Sequence, residues 1–111
     1  MNQLILTGRL VRSINLRTSD SGTVYARFDL AEKNHRAKDG VEYHEFTVFG
    51  AEAARMAEYT RKGQWLSIQG RVSNRKVTLE GGASIHVPQL IATHVEYGPR
   101  PKRSTQATEE E

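Results

Sequence analysis

YHEFTVFGAEAARMAEYTRKGQWLSIQGR, residues 43–71, changes its hydrophobic period twice, and its reading decides the fold. Successive strand side chains point to opposite faces, so Phe46 and Val48 share one face with His44, and Tyr43, Glu45, Thr47 and Phe49 share the other. Both faces carry aromatic rings, so the second face is either a packing surface or a binding surface. Gly50 ends this strand. Ala53, Met56, Ala57 and Thr60 then recur at helical spacing, which predicts a short helix over 51–62 with a narrow stripe of small residues, suited to lying on a sheet or plugging a barrel end. Glu58 and Lys62 stand at i,i+4, Arg61 and Lys62 complement the negative helix terminus, and Gly63 reads as the stop. Alternation returns at Gln64, with Leu66, Ile68, Gly70 and Val72 opposite Trp65, Ser67, Gln69 and Arg71.

Outward from this stretch, the remaining strands declare themselves by the same alternation. Residues 2–11 place Leu4, Leu6, Gly8 and Leu10 on one face, and Gly8 marks a bulge or a close backbone approach. Residues 12–16 are ambiguous, a possible continuation after a bend, and Ser19-Asp20-Ser21-Gly22 is a turn. Residues 23–32 set Val24, Ala26, Phe28 and Leu30 inward and Tyr25, Arg27 and Asp29 outward. The basic loop KNHRAKDG (33–40) ends in the turn pair Asp39-Gly40 and joins this strand to the next as a long-looped hairpin. Beyond Arg71 the strand runs on to Leu79, Glu80-Gly81-Gly82 turns it, and 84–97 returns. Pro88 predicts an edge position or a bulge in that last strand. Three strands, a helix and two strands is the order of an all-β OB-fold, a five-stranded Greek-key barrel with one short helix between the third and fourth strands, although other small barrels share that order and it gains weight only together with the residues on the outer face.

The chain of 111 residues predicts one domain over 1–98, followed by a disordered tail over 99–111 whose final stretch KRSTQATEEE carries no apolar side chain larger than alanine. A hydrophobic content of 37% with 26% charged residues fits a globular protein, and a formal charge of +3 makes it mildly basic. There is no cysteine, which excludes disulfides and thiolate metal sites and suits a reducing compartment. MNQLILTGRL acquires charge too soon for a signal peptide, and no apolar run approaches a membrane span, so a soluble cytoplasmic protein without membrane contact is expected.

Enzyme motifs are missing. His35, His44, His86 and His94 form no HExxH pattern, His44 and Glu45 point to opposite faces, and neither a GxSxG elbow nor a phosphate loop occurs. No cofactor or metal is called for. A binding surface is better supported. Arg27, Lys33, Arg36, Lys38, Arg61, Lys62, Arg71, Arg75 and Lys76 are interleaved with Tyr25, Tyr43, Phe49 and Trp65. Single-stranded nucleic acid needs that combination, since cations follow the phosphates and flat rings stack on unpaired bases. Taken singly, Tyr25, Phe28 and Phe46 read as core or interface, and Lys38, Arg61 and Lys62 as an ordinary solvated face. Trp65 is open between capping the barrel, lining a subunit contact and stacking a base.

NQLILTGRL, SGTVYARFDLA, EYHEFTVFG, EYTRKG and IQGRV, in this order and with the helix in register, resemble the bacterial single-stranded DNA-binding protein family, SSB. The resemblance covers about residues 2–79 and extends more loosely to Tyr97. It implies an OB-fold, sequence-tolerant binding of single-stranded DNA in replication, recombination or repair, no catalysis, and a homo-oligomer, a tetramer in preference to a dimer. By position, Tyr43 stands where the family usually has a stacking tryptophan and Phe49 matches its stacking phenylalanine. Arg61-Lys62 and Arg75-Lys76 match its basic pairs. Two further family tryptophans have no counterpart: the loop offers His35 and Arg36, and Val77 follows the second basic pair. Glu45 occupies a position where the family commonly has arginine. The ending Thr108-Glu109-Glu110-Glu111 is acidic without the family's apolar anchor, so docking of replication or recombination proteins through it is expected to be weak or absent. A short plasmid, phage or mobile-element member, or a primosomal-type relative active in replication restart, has this look. Two other readings stand beside single-stranded DNA coating: an RNA-binding or short-strand-binding module inside a protein complex, and an interaction protein whose outer rings are a subunit interface.

Overall fold

The computed structural model describes residues 1–99, so the expected tail lies, from residue 100 on, outside the described residues. In chain order the elements are β1 (Leu4–Leu10), β2 (Arg17–Thr18), β3 (Val24–Lys33), β4 (Val41–Phe49), α1 (Gly50–Tyr59), β5 (Trp65–Thr78) and β6 (Ser84–Tyr97). Five strands form the order β1-β5-β6-β4-β3, and β3 returns to β1 through Arg9 opposite Ala31 and Leu10 opposite Leu30. The sheet is thereby closed into a barrel, in which β1 and β3 cover each other's edges where they pair. One pairing is parallel, β4 on β6 from Phe46 opposite Leu90 to Val48 opposite Ala92. This is the OB-fold, with the helix after the third long strand. The extra strand β2 comes just after the ambiguous 12–16 segment and adds two residues to the margin of β3, opposite Tyr25 and Val24.

The core follows the predicted alternation. Ala26, Phe28 and Leu30 of β3, Phe46 and Val48 of β4, and Leu66 and Ile68 of β5 are all buried. Phe28 and Phe46 face each other across the hairpin with rings stacked 5.5 Å apart. Gly8 is a close approach: a Cβ there would lie 2.6 Å from the Ala31 carbonyl oxygen, where β1 crosses β3. Gly70 is tighter, 2.2 Å from the Ile91 oxygen. It adjoins the one irregularity of the β5–β6 ladder, where Gln69 faces His94 but Gly70 faces Ala92, leaving Thr93 unpaired. The bulge is therefore at Thr93. Pro88 takes the edge alternative, opposite Asn74 in the ribbon that β5 and β6 form beyond the stretch paired to β4.

The helix packs on β3, β4 and β6 and buries Ala53 and Met56 completely. It is shorter than the expected 51–62. Thr60 is already extended, its amide and its hydroxyl both donate to the Met56 carbonyl, and the last turn holds no basic residue. Lys62 thus lies beyond the helix, off the face that Glu58 occupies, and the charge pair within α1 is Glu52 with Arg55. Gly63 belongs instead to the following turn, with φ +86° and a hydrogen bond from Gln64 N to Arg61 O. That turn is tied inward: Gly63 N donates to Leu10 O, and buried Gln64 donates to Gly98 O while accepting from Arg61 N. No helix among the described residues is long and apolar enough to cross a membrane.

Candidate nucleic-acid interface

The outer face of the β3–β4 hairpin presents four cross-strand pairs in sequence: Tyr25 with Phe49, Arg27 with Thr47, Asp29 with Glu45, and Ala31 with Tyr43. Strand alternation puts all eight on the side away from the core. Tyr43 is 59% exposed and Phe49 43% exposed, so both rings keep a free surface. Phe49 lies 6.5 Å from the half-buried ring of Tyr25 at a tilt of 41°, and the Arg27 guanidinium sits 6.0 Å from the same tyrosine ring. Thr47 is covered despite its outward position, because Gln89 of β6 reaches over and donates to its hydroxyl at 3.2 Å.

Three grooves meet on this face, and Arg27 lines every one of them. The largest, about 430 Å3, runs between Tyr43, Glu45 and Thr47 on one side and Arg75, Pro88 and Gln89 of the ribbon on the other. A second, about 350 Å3, lies between Tyr25, Asp29 and Glu45 and the segment holding Arg12, Asn15 and Arg17. The third, about 310 Å3, runs past Phe49, Tyr25 and Gln89 to Ser19. Rings and cations from β3, β4, β5 and the β1–β2 connection therefore share one continuous surface. Its chemistry suits an extended polyanion bearing flat groups.

The other sequence candidates are distributed around it. Lys33, Arg36 and Lys38 belong to the end of β3 and the hairpin loop, which starts two residues beyond the Ala31–Tyr43 pair. Arg71 shares the Arg75 face of β5 by alternation, whereas Lys76 points to the opposite side of the ribbon. Trp65 is elsewhere. It stands on the outer side of the β1–β5 pair, with the Arg9 guanidinium 4.6 Å from its ring, beside a small groove lined by Thr7, Ser67 and Glu96. Arg61 and Lys62 occupy the turn that leads into Trp65, and Arg9 also donates to Gly63 O in that turn. Apart from Lys76, the candidates thus fall into a large set on or beside the β3–β4 face and a smaller one around Trp65.

Sequence reasoning missed Arg12, Arg17 and Gln89. The run RSINLR did carry a signal in its two bracketing arginines, but without a strand assignment they had no face to belong to. At the loop end of the hairpin, His44 accepts or donates a hydrogen bond with Glu32 at 2.9 Å and Asn34 donates to Glu42 at 2.8 Å. The three possible ligand atoms of Glu32, Glu42 and His44 lie within 4.8 Å of one another. They are already engaged with one another and with Asn34, at an open rim, and nothing there singles out an ion.

The single-strand binding protein family profile matches residues 1–97. A stretch of 101 residues is 31% identical to "Single-stranded DNA-binding protein 3" of Clostridium acetobutylicum and covers 87% of this chain and 70% of that one. A 32% identical match to a single-stranded DNA-binding protein of Clostridium tetani has the same extent. Among solved structures, the mitochondrial single-stranded DNA-binding protein Rim1 of S. cerevisiae superposes with a TM-score of 0.71 at 17% identity, covering 89% of this chain and 96% of that one. The barrel, its grooved outer face and a profile match that spans both place the chain in a family: it belongs to the single-strand binding protein family.

Proposed function

We propose that the protein binds single-stranded DNA with little sequence preference along the β3–β4 face and covers it during replication, recombination or repair. The observation that carries this reading is that Tyr43 and Phe49 are both exposed on one strand face, with Arg27 and Arg75 lining the grooves beside them. Six residues of strand separate the two rings, about 20 Å, room for several nucleotides. Bases stack on Tyr43 and Phe49, and phosphates follow Arg27, Arg75, Arg12 and Arg17. No step in this needs a cofactor or a catalytic group. The relatives carry the same activity in their names.

A homo-oligomer, with a tetramer preferred to a dimer, accompanies this reading. Its support is apolar surface left in water: Ile5 on the outer side of β1 is 70% exposed, and Val72, Leu79 and Ile85 are exposed along the ribbon. A cytoplasmic site of action goes with it.

The test is anisotropy of a labelled mixed-sequence oligonucleotide, single-stranded or duplex, across a salt series. Binding of the single strand alone, weakening as salt rises, is expected. Equal affinity for the duplex would reduce the surface to a generic basic patch and remove the stacking argument.

A further inference from the structure

Asp29 and Glu45 face each other directly across the hairpin, in the middle of the surface just described. Like charges opposed in a sheet are destabilising, and carboxylates in a groove for a polyanion repel it. The same hairpin holds a second opposed pair, Glu32 with Glu42, and there His44 and Asn34 take up the oxygens. Asp29 and Glu45 have no such relief. Among the described residues neither makes an ion pair or a side-chain hydrogen bond, although Arg12, Arg17 and Arg27 line the same groove. Cations and carboxylates are presented side by side but not joined, and the pair lies between the Tyr25–Phe49 row and Tyr43.

We propose that Asp29 and Glu45 read the edges of stacked bases and favour those that carry an amino group. This rests on the single-strand reading above and adds to it a base preference. A ring stacked on Tyr43 or Phe49 turns its edge along the sheet surface, toward whatever lies between the two platforms, while its phosphates stay with the arginines. Unpaired bases offer their whole Watson–Crick edge. A carboxylate only accepts hydrogen bonds. The cytosine 4-amino group donates to it, as does the adenine 6-amino group, and guanine presents two donors side by side. Uracil and thymine offer one N–H held between two carbonyl oxygens, each of which repels the carboxylate. Free carboxylates on this face therefore oppose the pyrimidines that lack an amine. Their charge, a liability against phosphate alone, becomes a means of selection.

Oligo-dC and oligo-dU of one length make the cleanest comparison, because their rings have the same size and shape and differ only in the 4-amino or 4-oxo group and the N3 hydrogen that goes with the latter. At neutral pH and low salt the protein is expected to bind oligo-dC about tenfold more tightly than oligo-dU. In D29N/E45Q, amides that both donate and accept replace both carboxylates. Affinity for both oligonucleotides should rise and the ratio should fall within about twofold. E45Q alone serves the same comparison if the double variant unfolds at a lower temperature. Equal binding of oligo-dC and oligo-dU by the unaltered protein, or an unchanged ratio in the variants, would overturn the base-edge assignment while leaving single-strand binding intact. Failure to bind either oligonucleotide would remove the inference together with the reading beneath it.

Discussion

Tyr43 and Phe49 enter the proposed interface through their exposure, which also makes their removal a clean test. Neither ring contributes to the barrel core, so alanine at either position should leave the unfolding temperature nearly unchanged while weakening single-strand binding at least tenfold, since base stacking on a ring is worth about 1–3 kcal/mol. Titration alongside a thermal melt separates the two effects, and normal binding by both variants would move the interface off this face. Glu45 lines two of the three grooves, so Glu45→Arg is expected to tighten binding, and an unchanged affinity would mean that the strand passes elsewhere. Gly8 shows how a single residue can be read from sequence. A glycine in the interior of a strand pattern signals a close backbone contact, and that contact is with Ala31. Gly70 stands in the same kind of pattern, in line with Leu66, Ile68 and Val72, and its close neighbour is the Ile91 carbonyl beside the bulge at Thr93.

Among the elements, the β5–β6 ribbon turns an apparent basic pair into two different residues. Arg75 lines the groove with Tyr43, and Lys76 points to the ribbon's other side. Arg75→Ala should therefore weaken binding more than Lys76→Ala and lower the slope of log affinity against log salt by about 0.7, the value for one phosphate contact on a single strand. The helix has its own test at its junction with β6. Tyr97 packs edge-on against Tyr59, and its hydroxyl is buried with no hydrogen-bond partner among the described residues. Burial first, and then the charge of Glu52 against the opposing pull of Arg55, raises its pKa above the ordinary 10.0. A raised folded-state pKa stabilises the fold fully below the unfolded value and loses that contribution as pH rises through the folded one. Melting temperature should accordingly drop from about pH 10 upward, and Tyr97→Phe should lessen that drop. At neutral pH the same variant should be no less stable, since the phenol there has nothing to bond. Met56→Ala, by contrast, empties a fully buried site and should cost about 2–5 kcal/mol in denaturant unfolding. The helix stripe was legible through Ala53 and Met56. Its end was not, because Arg61 and Lys62 look helical in isolation, and the chain leaves the helix at Thr60 to reach hydrogen bonds with Leu10 and Gly98 that sequence spacing does not display.

At the scale of the whole molecule the barrel is what turns a list of cations and rings into a surface. Mass measurement in solution should give a multiple of one chain, four being expected, and a Lys substitution at Ile5 should lower it if the outer side of β1 is a subunit contact. By itself the sequence determined the five long strands, the body of the helix and which side chains of the barrel point inward, because alternation at period two and recurrence near 3.6 are local properties of the backbone. The order of elements followed from the same signals, and the barrel was expected from that order only together with the outer-face residues and the family resemblance. It also determined that Tyr43 and Phe49 share a face. Which cations join them was decided by tertiary structure alone. Arg12, Arg17, Arg27 and Arg75 come from three separate parts of the chain and meet because β3 closes on β1 and the ribbon leans beside β4, whereas Trp65 follows the β1–β5 pair to another side. Period assigns a residue to a face of its own strand, but proximity between strands depends on closure and twist, and those are properties of the assembled sheet.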